Sequence, residues 1–216
     1  MRARLVIYTR QMPKAKLPVR ETEIKLRVEN IPGMVRKLAA LGARPEGRVF
    51  EQNTLYDTPH ADLRRTGRLL RVRTETPAAS NHVRQGKRGG LVTFKAPVLA
   101  GASSRYKEKL EWEAAIRHPT EWVRRLRAVG FKPGFEYQKY RSSFRLAGVH
   151  ACLDETPIGT FLELEGKPHG IDRMARSLGY GPRDYIRSTY WELYAADCAR
   201  RGQKPRNLTF SRVKIR

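Results

Sequence analysis

Acidic and basic side chains in this chain recur in pairs two residues apart. Glu21, Glu23 and Lys25 open the series. Arg71/Arg73, Lys107/Lys109/Glu111/Glu113, Lys139/Arg141 and Glu163/Glu165 follow. In an extended strand, residues i and i+2 point to the same side, so each set lines one face. Apolar residues fill the alternate positions: Ile24 and Leu26, Leu70 and Val72, Leu110 and Trp112, Leu162 and Leu164. A sheet with one wetted face also alternates, but two features favour chemistry. The charged positions hold almost only Glu, Lys and Arg, with little Ser, Thr or Gln. Like charges also stand side by side, which is unfavourable unless something of opposite sign lies between them. Two carboxylates around a hard divalent cation, or two basic groups around phosphate oxygens, remove that repulsion.

The elements that must position these pairs read as strands. Glu21–Glu29, Phe50–Tyr56, Leu69–Thr76, Leu91–Ala96, Arg105–Ile116, Glu136–Leu146, Val149–Asp154 and Thr160–Gly166 are separated by turn formers such as Asp57-Thr58-Pro59 and Ala147-Gly148. Helical periodicity runs from Val35 to Leu41 and again from Val123 to Val129, each closed by a glycine and then a proline. The two helices lie 88 positions apart, and the acidic doublets before them, Glu21/Glu23 and Glu111/Glu113, lie 90 apart. Acidic strand, helix, cap and following strands in one order predict an internal duplication. Further helices are predicted over Asp172–Leu178 and about Arg187–Arg201. The expected fold is α+β: a closed eight-stranded antiparallel β-barrel of two pseudo-repeated halves, with helices packed outside. The expected organisation is a basic leader over 1–20, a tunnel domain over 21–202 and a loosely held basic tail over 203–216. Pro77–Gly90 reads as a loop.

Composition bounds the function. The 216 residues carry 44 Lys and Arg against 21 Asp and Glu, a net charge of +23, which predicts an anionic partner. No apolar run approaches the roughly 20 residues that span a bilayer, so no membrane partner is expected. Cys152 and Cys198 lack any motif spacing and read as free thiols of a cytoplasmic protein. The histidines form no zinc-ligand spacing, and Gly86–Gly90 lacks the spacing of a phosphate-binding loop.

Six segments in one order resemble the CYTH family, the triphosphate tunnel metalloenzymes, which include class IV adenylyl cyclases, thiamine triphosphatases and inorganic triphosphatases. Glu21-Thr22-Glu23-Ile24-Lys25 resembles its E-x-E-x-K strand. Gln52…Leu55-Tyr56-Asp57-Thr58, Leu70-Arg71-Val72-Arg73, Thr93-Phe94-Lys95, Lys139-Tyr140-Arg141 and Asp154…Gly159-Thr160-Phe161-Leu162-Glu163-Leu164-Glu165 resemble its later motifs. The resemblance covers residues 21 to 194. It implies an eight-stranded tunnel that binds a triphosphate with Mg²⁺ or Mn²⁺. Glu21, Glu23, Glu163 and Glu165, with Glu111 or Glu113 and Asp154, are the implied metal ligands; Asp154 equally suits the turn before Pro157. Lys25, Arg71, Arg73, Lys95, Lys139 and Arg141 are the implied phosphate ligands, joined by Lys107 or Lys109. Lys25, Glu21 and Glu23 form the implied catalytic set, and Arg187 is a candidate for closing the tunnel.

Phosphoryl transfer asks the protein mainly for positioning and charge stabilisation. About seven cations in a lumen are expected to neutralise the roughly four charges of a triphosphate before any metal is counted. Water as attacker makes the chain a metal-dependent triphosphatase, the favoured expectation. The ribose 3′-hydroxyl of ATP makes it a class IV adenylyl cyclase. A basic nucleic-acid-binding protein is the third alternative, but it gives no reason for the paired glutamates, so nucleic acid is expected only as a non-specific partner. The oligomeric state is left open, a dimer included.

Overall fold

The computed structural model describes residues 17–78, 89–98 and 105–210. Most of the basic leader, most of the Pro77–Gly90 loop and the last residues of the tail lie outside these. Eight antiparallel strands close into one barrel: β1 (Val19–Val28), β2 (Arg44–Asp57), β3 (Leu69–Pro77), β4 (Gly90–Pro97), β5 (Lys107–Ile116), β6 (Lys132–Leu146), β7 (Val149–Thr156) and β8 (Gly159–Glu165). Their order around the barrel is β1-β5-β4-β3-β2-β6-β7-β8, with β8 pairing back to β1. Exchanging β1–β4 for β5–β8 returns the same ring, so the duplication in the sequence is also a twofold relation in the topology.

Among the described residues five α-helices lie outside: α1 (Ile31–Ala40), α2 (Asp62–Arg65), α3 (Pro119–Ala128), α4 (Pro168–Ser177) and α5 (Tyr190–Arg200). Asn30 caps α1 by accepting from the Gly33 amide. Gly42 and Gly130 follow α1 and α3 with φ of 80° and 94°, a conformation that favours glycine. The sequence places the start of α5 near Arg187, but the chain stays extended further. Ile186 exchanges two backbone hydrogen bonds with Lys25, and the helix begins only at the Thr189/Glu192 capping box.

The outward residues of β1, β7 and β8 form the main core with α1 and α4. Ile24, Leu26, Leu38, Ala151, Leu162, Leu164 and Ile171 are fully buried there. Each such Leu or Ile side chain contributes roughly 1.5–3 kcal/mol, so the barrel is held chiefly by its outer layer. A second cluster joins α2 and α3 to β3 and β5 through Leu63, Val123 and Leu126 on Leu70, Val72 and Ile116. A third holds α5 and Leu208 against Phe135, Tyr137 and Phe161. Leu208 is bonded to the backbone of Glu136 and Gln138, so the tail up to Phe210 is fastened where the sequence suggests a loose end. Among the described residues no helix is long and apolar enough to cross a membrane.

Candidate functional site

The inward positions of the eight strands carry the charged pairs. Fourteen of the fifteen residues expected at the site line one continuous cavity of about 800 Å³. The fifteenth, Asp154, is fully buried and reaches the cavity through its partners. Arg187, by contrast, lies exposed on the surface. The residue that its segment sends into the lumen is Tyr190, whose hydroxyl donates to Asp154 Oδ2 at 2.7 Å.

Register explains the groupings. Glu23 faces Glu165 across β1 and β8, Lys25 faces Glu163, and Glu21 faces Lys109 across β1 and β5. One group of carboxylates therefore gathers from Glu21, Glu23, Glu111 and Glu165. Lys95 stands between Glu21 at 2.5 Å and Glu111 at 2.6 Å, and Lys107 holds Glu23 at 2.6 Å. Lys109 turns instead to the Gly67 carbonyl at the mouth, at 2.9 Å, which separates the two lysines that the sequence left equivalent. The remaining predicted acids are tied elsewhere. Glu163 bonds Lys25 and Arg141, Asp154 bonds Lys139 and both ends of the Arg141 fork, and Glu113 accepts from Thr93.

Glu51 and Asn53 are the lumen residues that sequence reasoning missed. Glu51 is wholly buried, 3.3 Å from Arg73 and 3.5 Å from Lys139 and Arg141. Asn53 accepts from Arg73 Nε at 3.2 Å. Tyr137 also reaches inward and accepts from Arg71 at 3.2 Å. The one signal available was parity. Glu51, Asn53 and Leu55 share a face, whereas Gln52, the residue of the matched motif, is exposed on the other side.

With Glu51 counted, eight carboxylates face the eight predicted basic residues. In formal charge the lumen's own acids and bases therefore cancel, which corrects the expectation that its cations stand free to neutralise a triphosphate before any metal is counted. Individual groups respond accordingly. Burial pushes the carboxyl of Glu23 up, but Lys107 and Lys25 override it and hold it well below the usual range. Glu51 is likewise held low against burial by Lys139, Arg141 and Arg73. Glu165 goes the other way, pushed up to about 7 by burial and by Glu21 and Glu23. Glu21 is raised for the same reasons, with Lys95 only partly offsetting them. Burial and the nearby Asp154 and Glu163 carboxylates keep Tyr190 a neutral phenol. Cys152, also on the lumen wall, is pushed up to about 11 by burial, so it remains an unreactive thiol.

Two buried side-chain atoms among the described residues lack a hydrogen-bond partner, and both are here: Arg71 Nε and Glu111 Oε2. Lys95 lies 2.6 Å from that oxygen without hydrogen-bond geometry. A buried unsatisfied donor such as Arg71 Nε costs roughly 1–3 kcal/mol, whereas the Glu111 oxygen keeps its ion pair. The donor suits an anion and the acceptor a cation. No three acidic, His or Cys side chains among the described residues converge on one point as they stand, because lysines lie between them. The all-oxygen, over-charged donor set of Glu21, Glu23, Glu111 and Glu165 nevertheless fits a hard divalent cation.

The Methanocaldococcus jannaschii protein named "Putative adenylate cyclase MJ0240" is 24% identical over 184 residues, which cover 80% of this chain and 97% of that one. A Vibrio parahaemolyticus structure with the same cyclase designation superposes with a TM-score of 0.67 at 20% identity, covering 80% of this chain and 96% of that one. The Hippeastrum protein HpAC1, also named as an adenylyl cyclase and described as having a dominant triphosphatase activity, superposes with a TM-score of 0.55 at 17% identity, covering 86% and 97%. The CYTH domain matches residues 19–190, through every strand of the barrel as far as Tyr190, and the chain belongs to the CYTH family.

Proposed function

We propose that the chain is a metal-dependent phosphohydrolase that cleaves a triphosphate held along the lumen: inorganic triphosphate, thiamine triphosphate or a nucleoside triphosphate. The observation that carries this reading is one cavity in which the buried Arg71 Nε has no hydrogen-bond acceptor and the four carboxylates of Glu21, Glu23, Glu111 and Glu165 gather on one wall. An electroneutral lumen gains nothing from a bare polyanion, so a triphosphate enters together with divalent cations that offset its charge.

Glu21, Glu23, Glu111 and Glu165 would hold Mg²⁺ or Mn²⁺, with Glu113, Asp154 and Glu163 available as their basic partners turn to phosphate. The bound ion supplies charge neutralisation on phosphate oxygens and a more acidic water. The protein's own contribution is positional. Arg71 offers its unpaired Nε to a phosphate oxygen. Lys25 and Lys139, 5.3 and 5.2 Å from the centre of the Tyr190 ring, present ammonium groups to the same chain of oxygens. Asp154, fixed by Tyr190, keeps Lys139 and Arg141 aimed inward. As phosphate takes over these cations, the carboxylates they leave become available to metal. Lys25, Glu21 and Glu23 form the catalytic set in this scheme. A cytoplasmic location fits the two free, buried cysteines.

The activity described for HpAC1 supports hydrolysis, and the cyclase names of the other relatives support a second reading. In that reading ATP cyclises to cyclic AMP and pyrophosphate in the same cradle. Incubation of purified protein with each triphosphate and Mn²⁺, followed by product identification, separates the two. Orthophosphate release supports hydrolysis, cyclic AMP supports cyclisation, and neither product from any triphosphate overturns both.

A further inference from the structure

The lumen's cancelled charge has a consequence outside it. The eight cations and eight carboxylates counted above add nothing to the chain's surplus of +23, and the further charged residues that line the cavity, Arg64, Arg68 and Lys132 against Asp57 and Glu192, add only one positive charge. The triphosphate site therefore cannot account for it. Part of this surplus is concentrated on α3 and its flanks. Between Arg117 and Lys132 there are five Arg or Lys, all exposed, and one acid, Glu121. Glu121 pairs with Arg125. Among the described residues Arg117, Arg124 and Arg127 have no ion-pair partner, and Lys132, also unpaired, borders the tunnel cavity instead.

The internal duplication shows how far this helix has diverged. At the 88-residue offset, Trp122 corresponds to Met34 and Arg127 to Ala39. Met34 is 4% exposed in the core, whereas Trp122 is 38% exposed and Val129 is 72% exposed. On the helix surface Trp122, Arg125 and Val129 fall on one flank, at i, i+3 and i+7. Arg124 and Arg127 fall on the other. Val123 and Leu126 face inward.

We propose that this face of α3 binds single-stranded nucleic acid without sequence preference, independently of the tunnel. The unpaired Arg124 and Arg127 fork onto phosphate oxygens, and across the exposed side of the helix the Trp122 indole offers a stacking platform that accepts any base. A membrane surface fits less well. Interfacial helices bury a broad apolar face in lipid, and here the apolar residues Val123 and Leu126 already pack on the barrel.

The test is fluorescence anisotropy with a labelled RNA of about 20 nucleotides ending in a 5′-hydroxyl, so that it has no triphosphate to enter the tunnel. Arg124→Glu/Arg127→Glu should weaken binding at least ~10-fold and flatten the salt dependence by about 1.4 in log–log slope, for two lost phosphate contacts. Trp122→Ala should weaken it several-fold while leaving the slope unchanged. The milder Arg124→Gln/Arg127→Gln pair should show the same flattening if charge reversal harms folding. A Lys25→Ala/Arg71→Ala tunnel variant, assayed at a temperature where its thermal melt shows it folded, should bind RNA as the unaltered protein does. Unchanged affinity in both arginine pairs would overturn the proposal. So would loss of RNA binding in the tunnel variant, or protein that sediments with phosphatidylserine vesicles while leaving RNA free.

Discussion

The hydroxyl of Tyr190, the first residue of α5, donates at 2.7 Å to Asp154, a carboxylate on β7 with no exposure to solvent. The same carboxylate accepts from Lys139 at 2.8 Å and from the Arg141 fork at 2.6 and 2.7 Å. One phenol thus ties the outer helix to two of the basic groups proposed to grip phosphate. Tyr190→Phe keeps the ring over both ammonium groups and removes only the donor. The expected outcome is a KM for triphosphate raised about tenfold, with kcat within about twofold, from a lost hydrogen bond to a charged group. In an Asp154→Asn background the same substitution should add little. An unchanged KM, or full additivity, would detach Tyr190 from phosphate binding.

Glu21 and Glu51 should behave oppositely. Glu21→Gln removes a carboxylate from the proposed metal set, where charge is already in excess, so turnover should fall by about 100-fold or more while stability stays nearly constant. Glu51→Gln leaves Arg73, Lys139 and Arg141 without their shared anion in a fully buried position. It should cost about 3 kcal/mol, which lowers Tm by roughly 2–4 °C per kcal/mol in a chain of this size. Thermal melts set beside turnover numbers separate the two roles. Equal stability losses would mean that the lumen carboxylates are all structural.

The contrast between these glutamates also marks what was legible in the sequence. Strand alternation exposed the charged face, and the repeated helix with its glycine cap exposed the twofold. Glu21, Glu23, Arg71 and Arg73 were readable because each has a like-charged neighbour two residues away. Glu51 has Asn53 there instead, and its partners come from β3 and β6, through a register that no local pattern encodes. Helix α2 was invisible for a similar reason. It has only four residues, and the Asp57 carboxylate that accepts from the amides of Leu63 and Arg64 sits in a segment that reads as a turn. Tyr190 lies in a helical pattern, where an aromatic residue reads as core. Only the extended stretch pinned by Ile186 to Lys25 carries it to the lumen.

Arg71→Ala should weaken inorganic triphosphate binding at least about tenfold by calorimetry, because it removes a buried guanidinium that makes charge-assisted contacts. Arg71 already bonds Tyr137 and Thr93, so its unpaired Nε is the group with capacity to spare. Unchanged affinity would remove Arg71 from the cradle.

The pH dependence follows from the raised carboxylates. Glu165, near 7, and Glu21 hold protons more tightly folded than unfolded, where a glutamate titrates near about 4.3. The contribution of Glu165 to stability is therefore full at low pH and is lost as pH rises through about 7, and that of Glu21 falls in the same direction. Exposure of Glu165 at the rim tempers the effect. His150, held below its usual value by burial and by Arg145, has the opposite slope, so the comparison is with Glu165→Gln rather than with a flat line. Between pH 5 and 8 (roughly the span from the unfolded to the folded value), metal-free protein should lose melting temperature relative to Glu165→Gln. Mn²⁺, which favours the ionised carboxylates, should abolish that difference. Parallel curves with and without Mn²⁺ would exclude Glu165 from the metal set.

The central claim is that an electroneutral lumen accepts a triphosphate only together with a divalent cation and then hydrolyses it. The direct measurement is orthophosphate release from inorganic triphosphate, thiamine triphosphate and ATP, each with Mn²⁺ or Mg²⁺ and each with the metal chelated. The account predicts release from at least one of them, abolished by chelation and by Glu21→Gln. Metal-independent release, or cyclic AMP and pyrophosphate as the only products, would contradict it.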